Sequence, residues 1–433
     1  MDVRGTKRPF SYLVVTHVPF GRCPERPDRF LVGDMWRQDL LEQNKAIRQV
    51  GGRLAVAAPL YVDLKVKDSG SFNLAPLEPA AEDLAYFPLT PYLSFRRFAA
   101  SLPRLISELR GALRGAAIVQ ADYGGHPISL GQVVWPLAGR AGARRIWVFD
   151  GADPFPRLEM GVSQTRNSLK RWAMAVALKQ FKAFCHRVFE TADLVYVHND
   201  AVARRFAAVW NNRSYLLPRT FVTEAVLVDE AELERRRQQL LDAAHPLRLV
   251  VAGRQIAIKA TDHVLRAMAV ARSRGTDFFL TVIGEGEEVG DFQRLAVDLG
   301  LSDRVVFLGQ IPYGDQLFAR WAEADAMVIT NLTAEISRNV FLGMSRGLPL
   351  IMYRNPGTDR LIEDNQAGLL VPPGDIGALA AAFHRVHQDR GILSGFAVRG
   401  LDLARHHTLA QCHRTRAELA SACLASGGPK PAL

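Results

Sequence analysis

Six short runs of apolar and β-branched residues, at 247–251, 278–283, 304–308, 326–330, 349–353 and 368–371, recur every ~20–25 residues with helical patterns between them. Such alternation predicts a parallel sheet covered by helices on both faces. In that architecture a ligand binds at the carboxyl ends of the strands. Gly253, Arg254, Lys259 and Glu335 follow predicted strands and fall at those ends.

The chain has 433 residues, too many for one ordinary core, and 48% of them are hydrophobic. The first half repeats the alternation more weakly. A strand is expected at 12–18, then a Pro/Arg-rich loop at 19–29, a helix at 34–49 and a strand at 53–58. Gly51-Gly52 stops the helix. Residues 59–95, rich in Pro, Tyr and Phe, read as an irregular insertion. Helices at 97–114, 129–142 and 166–190 alternate with strands at 116–120, 145–149 and 194–198. The densely charged segment 229–242 reads as an exposed connector helix. The predicted organisation is an N-terminal domain at 1–225, a C-terminal domain at 226–400, a crossover helix at 401–425 that packs back on the first domain, and a disordered tail at 426–433.

The net charge of +10 is unevenly spread. Residues 1–220 hold 31 Lys and Arg against 19 Asp and Glu, so the whole basic excess lies in the first half. No zinc-finger or RNA-binding signature accompanies it, which argues against nucleic acid. An anionic membrane face or a phosphate-bearing acceptor fits better. No apolar run reaches the ~18–20 residues that span a bilayer, and the N-terminus lacks the pattern of a signal peptide. Cys23, Cys185, Cys412 and Cys423 form no CxxC pair, so neither a disulfide framework nor a zinc site is expected. The expected location is cytoplasmic, with peripheral contact at the inner membrane face.

The stretch 247–373 carries further motifs. Gly253-Arg254 is followed by Lys259 and Asp262. Gly284-Glu285-Gly286 follows the second strand. Val305, Phe307 and Gly309 mark the third, and Ala324-Asp325 precede the fourth. Met344-Ser345-Arg346-Gly347-Leu348-Pro349 closes the set. In order and spacing these residues resemble the nucleotide-sugar domain of the group 1 glycosyltransferases, a retaining family with the GT-B fold. The resemblance implies two doubly wound domains facing across a cleft and a C-terminal helix returning to the first. It implies transfer of a sugar from a nucleotide diphosphate to a glycan or lipid-linked acceptor, of bacterial envelope or exopolysaccharide type, with no metal and no cofactor.

Breaking the bond between sugar and diphosphate builds negative charge on the departing phosphate and an oxocarbenium-like sugar. Cations held at the phosphate stabilise that state. Arg254 and Lys259, five residues apart across a strand-to-helix turn, are the candidates for it. Ser337 or Asn339 is expected to open a helix that ends near Arg346, and its N-terminus, with Arg338 and Val340, would offer N–H groups to the same phosphates. Gly253, Gly284, Gly286, Gly309 and Ile311 are expected to line the donor site, the base being read largely by backbone groups near Gly284 and Ile311. In the first domain Gly21 falls in a loop which the family places near the donor phosphates. Asp150, where the family often has a histidine, is a candidate sugar ligand or partner for positive charge. It also reads as a turn-forming Asp-Gly. His126 reads as a loop histidine or a donor-site residue.

One departure stands out. The family carries two glutamates eight residues apart, the second holding the ribose and the first the donor sugar. Counting back from Gly347 and Pro349, the second position is Leu342, which cannot hydrogen-bond a ribose. The first falls on Ala334, with Glu335 one residue later and within reach of the sugar if the loop shifts. Asn339, one helical turn before Leu342, is a candidate for part of the ribose contact, or a capping residue.

The segment 168–187 places Arg171, Lys179, Lys182 and His186 in one narrow wedge of a helix. Met174, Leu178, Phe181 and Phe184 adjoin it as an apolar face, and Trp172 borders the wedge on its other side. A helix lying on an anionic membrane has this pattern, and so does a core-packed helix with a solvated basic face. The leading reading of the chain is a glycosyltransferase. A fold retained as a scaffold without turnover is the alternative that Leu342 motivates. Arg254 and Lys259 argue against it, and the motif context disfavours a sugar epimerase on the same fold.

Overall fold

A computed structural model describes residues 9–23, 26–65, 73–92, 94–123, 129–150, 153–218, 220–242, 245–333 and 336–425. The chain forms two compact units. One comprises the chain up to residue 219 together with residues from Leu409 onward, and the other comprises Thr220–Thr408. The division falls six residues before the expected boundary. The expected crossover helix is two helices. Gly391–His406 ends in the second unit, and Leu409–Ala425 belongs to the first.

The second unit holds β11 (Leu247–Ala252), β12 (Phe278–Ile283), β13 (Val305–Phe307), β14 (Ala326–Ile329), β15 (Leu350–Tyr353) and β16 (Gly368–Val371), each within a residue or so of the sequence reading. All are parallel, in the order β13-β12-β11-β14-β15-β16. The inner strands β14 and β15 are buried along their whole length and β11 nearly so, which requires apolar residues on both faces and explains why they read as continuous runs. The helix Glu230–Leu241 is no exposed connector. Asp229 caps it, and Leu233, Arg236 and Leu240 are buried at i, i+3 and i+7 on one face. Arg236 donates to the carbonyls of Ala324 (2.7 Å) and Trp321 (3.3 Å), and desolvation pushes its pKa down to about 10.

The first unit holds β1 (Phe10–Val15), β2 (Phe20–Arg22), β3 (Phe30–Gly33), β4 (Gly52–Tyr61), β5 (Leu74–Leu77), β6 (Ala85–Leu89), β7 (Ile118–Asp122), β8 (Arg144–Phe149), β9 (Leu194–Val197) and β10 (Ser214–Leu216). Their order is β10-β9-β8-β7-β1-β4-β2-β3-β5, with β6 also on β4. Part of the segment expected to be irregular is therefore strand. The expected loop at 19–29 contains β2, and a helix at Pro154–Gln164 precedes the long helix Ser168–Thr191. The C-terminal helix is tied down by polar contacts. His413 meets Asp39 of the helix Asp34–Gln49 at 3.1 Å, and the Tyr196 hydroxyl donates to the Arg416 carbonyl at 3.0 Å.

Candidate functional site

In the second unit the chain leaves β11 towards β12 and β13 on one side, then returns to place β14, β15 and β16 on the other. Loops leaving the carboxyl ends of β11 and β14 therefore diverge and open a crevice between them. A recess sits there, lined by Val251, Ala252, Arg254, Gln255, Lys259, Val328, Ile329, Thr330, Asn331 and Ser337. Three residues singled out in the sequence, Arg254, Lys259 and Ser337, meet in it. Arg254 is exposed and makes no ion pair among the described residues.

The backbone that presents these cations is braced from several sides. Gly253 has φ +129, Gly284 +119 and Gly309 +66, so glycines stand where three neighbouring strands end. The Gly253 amide donates to the Ile283 carbonyl (3.0 Å) and the Gly284 amide to the Gly309 carbonyl (2.6 Å). A Cβ on Gly284 would lie 2.0 Å from the Gly253 carbonyl oxygen, and one on Gly286 would lie 2.0 Å from that of Gln255. These glycines, like Ile311, are not part of the recess lining. Gly284 and Gly286 permit the close stacking of the loop that holds Arg254. Buried Gln255 donates to the carbonyls of Gly253 (2.8 Å) and Ile283 (3.2 Å) and accepts from the Thr261 hydroxyl (2.7 Å). Thr330 donates to the Lys259 carbonyl at 2.7 Å. Ala260, which opens the next helix, takes the left-handed conformation at φ 50 and ψ 45. An alanine there stores roughly 1–2 kcal/mol of strain.

The helix near the recess is Asn339–Ser345, with Arg338 at the N-cap and no side-chain cap. Ser337 and Asn339 therefore do not cap it as expected. The Asn339 side-chain amide donates instead to the Ala252 carbonyl at 2.7 Å, bracing the end of β11. The Val340 amide is already bonded to the Ser337 carbonyl (3.1 Å), and its side chain lies in the core with Leu342. The Arg338 guanidinium sits over the Phe221 ring at 5.9 Å. Glu335 and His126 lie outside the described residues.

Sequence reasoning missed Gln255, Thr330 and Asn331. Asn331 is 7% exposed, and its Nδ2 has no hydrogen-bond partner among the described residues although it lines the recess. A buried amide without a partner costs about 1–3 kcal/mol, a cost that a ligand oxygen would relieve. The only signal was the Thr-Asn pair directly after an apolar strand.

The first unit has its own reversal of strand order, between β1 and β7. Thr16, the first residue beyond the end of β1, donates to Asp122 at 3.1 Å, and His17 lies 3.3 Å from the same carboxylate. Asp150, at the end of β8, meets Nδ1 of buried His198 at 3.0 Å, and His198 Nε2 contacts Arg416 on the C-terminal helix. Arg416 can only donate, so Nε2 accepts and Nδ1 carries the proton to Asp150. Gly21 is a strand residue of β2, and a Cβ there would meet Leu64 at 2.7 Å. Packing accounts for this glycine without any approach to phosphate.

Residues 246–389 match the family model described as glycosyl transferases group 1. A GDP-mannose-dependent phosphatidylinositol monomannoside mannosyltransferase of Mycolicibacterium smegmatis is 28% identical over 68% of this chain and 72% of its own length. The lipopolysaccharide core glycosyltransferase LpsE of Rhizobium meliloti is 26% identical over 51% of this chain and 60% of its own. Among solved structures, Anabaena HepE in complex with UDP superposes with a TM-score of 0.63 at 17% identity, covering 95% of this chain and all of that one. The fold is GT-B.

Proposed function

We propose that the protein is a retaining glycosyltransferase that moves a sugar from a nucleotide diphosphate to a glycan or lipid-linked acceptor of bacterial polysaccharide or glycolipid biosynthesis. The observation that carries this reading is the convergence of Arg254, Lys259 and the unpartnered Asn331 amide on one recess at the strand-order reversal of a group 1 glycosyltransferase domain. In this reading Arg254 and Lys259 bind the diphosphate and stabilise the charge that grows on it. Each contributes roughly 2–4 kcal/mol to barrier lowering, or about 30- to 1,000-fold in kcat. Asn331 donates to a donor oxygen in the same recess. The departing phosphate takes the acceptor proton on the face it leaves, which gives retention without a protein nucleophile. The two cations do the work that a metal performs elsewhere, so activity is expected to persist in EDTA. Glu335 is assigned to the donor sugar and Asp150, held by His198 at 3.0 Å, to a sugar hydroxyl or a positive charge.

The relatives' names divide over the donor. The mycobacterial-type enzymes are called GDP-mannose-dependent, and HepE was crystallised with UDP and UDP-glucose. Calorimetric titration in EDTA with UDP, GDP, ADP and their sugars distinguishes them, with Arg254→Ala/Lys259→Ala as the control. Micromolar binding of one nucleotide, lost in the variant, is the expected result. No binding by any nucleotide would move the weight to a scaffold without turnover.

A further inference from the structure

The helix Ser168–Thr191 divides into two halves of different surroundings. Its buried residues, Phe181, Cys185, Val188 and Phe189, all lie in the C-terminal half. Leu178 and Phe184 pack against the same core, and Met174 packs on the preceding helix, with its sulfur 3.5 Å from the Thr165 hydroxyl. The apolar face expected to lie either on a membrane or in the core is therefore the core face.

A second apolar set points the other way. Leu169 is 73% exposed, Trp172 65% and Val176 37%. They stand at i, i+3 and i+7, and at about 100° per residue this is one stripe, roughly opposite the buried face. Met160 on the helix Pro154–Gln164 is 52% exposed as well. Leaving a Trp and a Leu in water over most of their surface forgoes burial that a core would supply, so something else must cover them if the stripe has a purpose.

Charge identifies the cover. Residues 160–189 hold six Lys and Arg and no Asp or Glu. Arg166, Lys170, Arg171 and Lys179 make no ion pair among the described residues, whereas Lys182 is held by Glu159 at 2.6 Å. Lys179 flanks the stripe, and Arg166 and Lys170 stand at its N-terminal end. A stripe of Leu, Trp and Val set among unpaired cations matches the boundary of an anionic bilayer, where a Trp ring sits at headgroup depth and cations meet the phosphates. A second copy of this chain fits less well. A stable dimer needs about 20–30 residues a side, and this ridge would bring like charges together.

We propose that the outward ridge of Leu169, Trp172 and Val176, with Arg166, Lys170, Arg171 and Lys179 around it, docks the protein on an anionic lipid surface. The docking goes beyond the transfer reaction and does not depend on it, because the ridge shares no residue with the recess that holds Arg254.

The test is co-sedimentation of the full chain, without nucleotide, with vesicles of phosphatidylglycerol and phosphatidylcholine in equal parts or of phosphatidylcholine alone. The expected result is binding to the mixed vesicles and not to the neutral ones. Leu169→Ser/Trp172→Ser/Val176→Ser should lower binding at least about tenfold, and Lys170→Gln/Arg171→Gln should lower it roughly fivefold per cation at low salt. Circular dichroism should show both variants folded, since every substituted side chain is exposed. Equal binding by the apolar variant and the parent overturns the proposal, as does failure of the parent to bind anionic vesicles. Conversion of an oligomer to a monomer by the apolar variant, read by light scattering, would overturn it in favour of a second copy. Nucleotide titration of the same variants keeps this result separate from the donor-site reading.

Discussion

Three glycines of the second unit separate two reasons for having no side chain. Gly275 has φ +81 and open space where a Cβ would stand. Gly275→Ala therefore meets only the left-handed penalty of roughly 1–2 kcal/mol, offset by roughly 0.4–1 kcal/mol from a stiffer unfolded chain, for a net loss of about 0.5–1 kcal/mol. Gly286 has no positive φ, but its Cβ would lie 2.0 Å from the Gln255 carbonyl oxygen. An ordinary carbon–oxygen contact is about 3.3 Å, so the two loops must part by about 1 Å. They resist parting because the Gln255 amide donates to the Glu285 carbonyl (2.8 Å) and the Glu288 amide to the Gln255 carbonyl (3.2 Å). Overpacking of this kind costs about 1–3 kcal/mol. Gly284 carries both terms, φ +119 and a Cβ 2.0 Å from the Gly253 carbonyl. Gly284→Ala should cost about 2–4 kcal/mol, a fall in Tm of about 10 °C against about 2 °C for Gly275→Ala in a unit of this size. Thermal melts of the full chain give the stability order, and nucleotide titration gives the functional one. Only the Gly284 and Gly286 variants should lose affinity, because only they displace the loop that carries Arg254. Equal Tm losses and equal affinities for the Gly275 and Gly284 variants would refute the reasoning.

Asn331→Leu removes an unpaired buried amide, so stability without ligand should hold or rise by about 1 kcal/mol while nucleotide-sugar affinity falls about tenfold or more. Loss of stability with unchanged affinity would place Asn331 in the framework instead. Leu342→Glu restores the family's residue but puts a carboxyl at a position 5% exposed among apolar side chains. The expected outcome is a loss of at least about 3 kcal/mol by urea denaturation and no gain in affinity, and a stable, tighter-binding variant would contradict it. Burial holds the His407 pKa below the ordinary histidine value, with His406 adding to the depression and the Leu403 carbonyl opposing it. The unfolded chain then takes up this proton at a higher pH than the folded one does. Stability falls as pH drops below the unfolded value and levels off below the folded one. His407→Gln should shrink the drop in urea midpoint between about pH 7.5 and about pH 5.5, and an unchanged drop would exonerate this residue.

What could be read from the sequence follows from how each residue is surrounded. The inner strands β11, β14 and β15 of the second unit are buried on both faces or nearly so, so their apolar runs announce them, and Arg254 and Lys259 follow one such strand at a spacing that the recess preserves. The first unit's edge was hidden for the same kind of reason. β5 contains Pro76 and β6 contains Pro88, residues that argue against a strand unless it lies at a sheet margin, and whether it does is invisible in one dimension. The helix Pro154–Gln164 begins on a proline, holds another and contains Gly161, three breakers that local propensity counts against it. For the helix Glu230–Leu241 the charge density misled, although Leu233, Arg236 and Leu240 already lay on one face. The failures at the candidate site are of another kind. Asn339, a candidate for part of the ribose contact or for a helix cap, is spent on the Ala252 carbonyl. Asn331, which sequence reasoning passed over, is the side chain whose amide is left without a partner among the described residues in the recess. Two asparagines eight residues apart thus differ in role on account of which backbone carbonyl each can reach. A residue type shows that a hydrogen bond will be made, and only the fold decides whether it goes to the protein or is kept for a ligand.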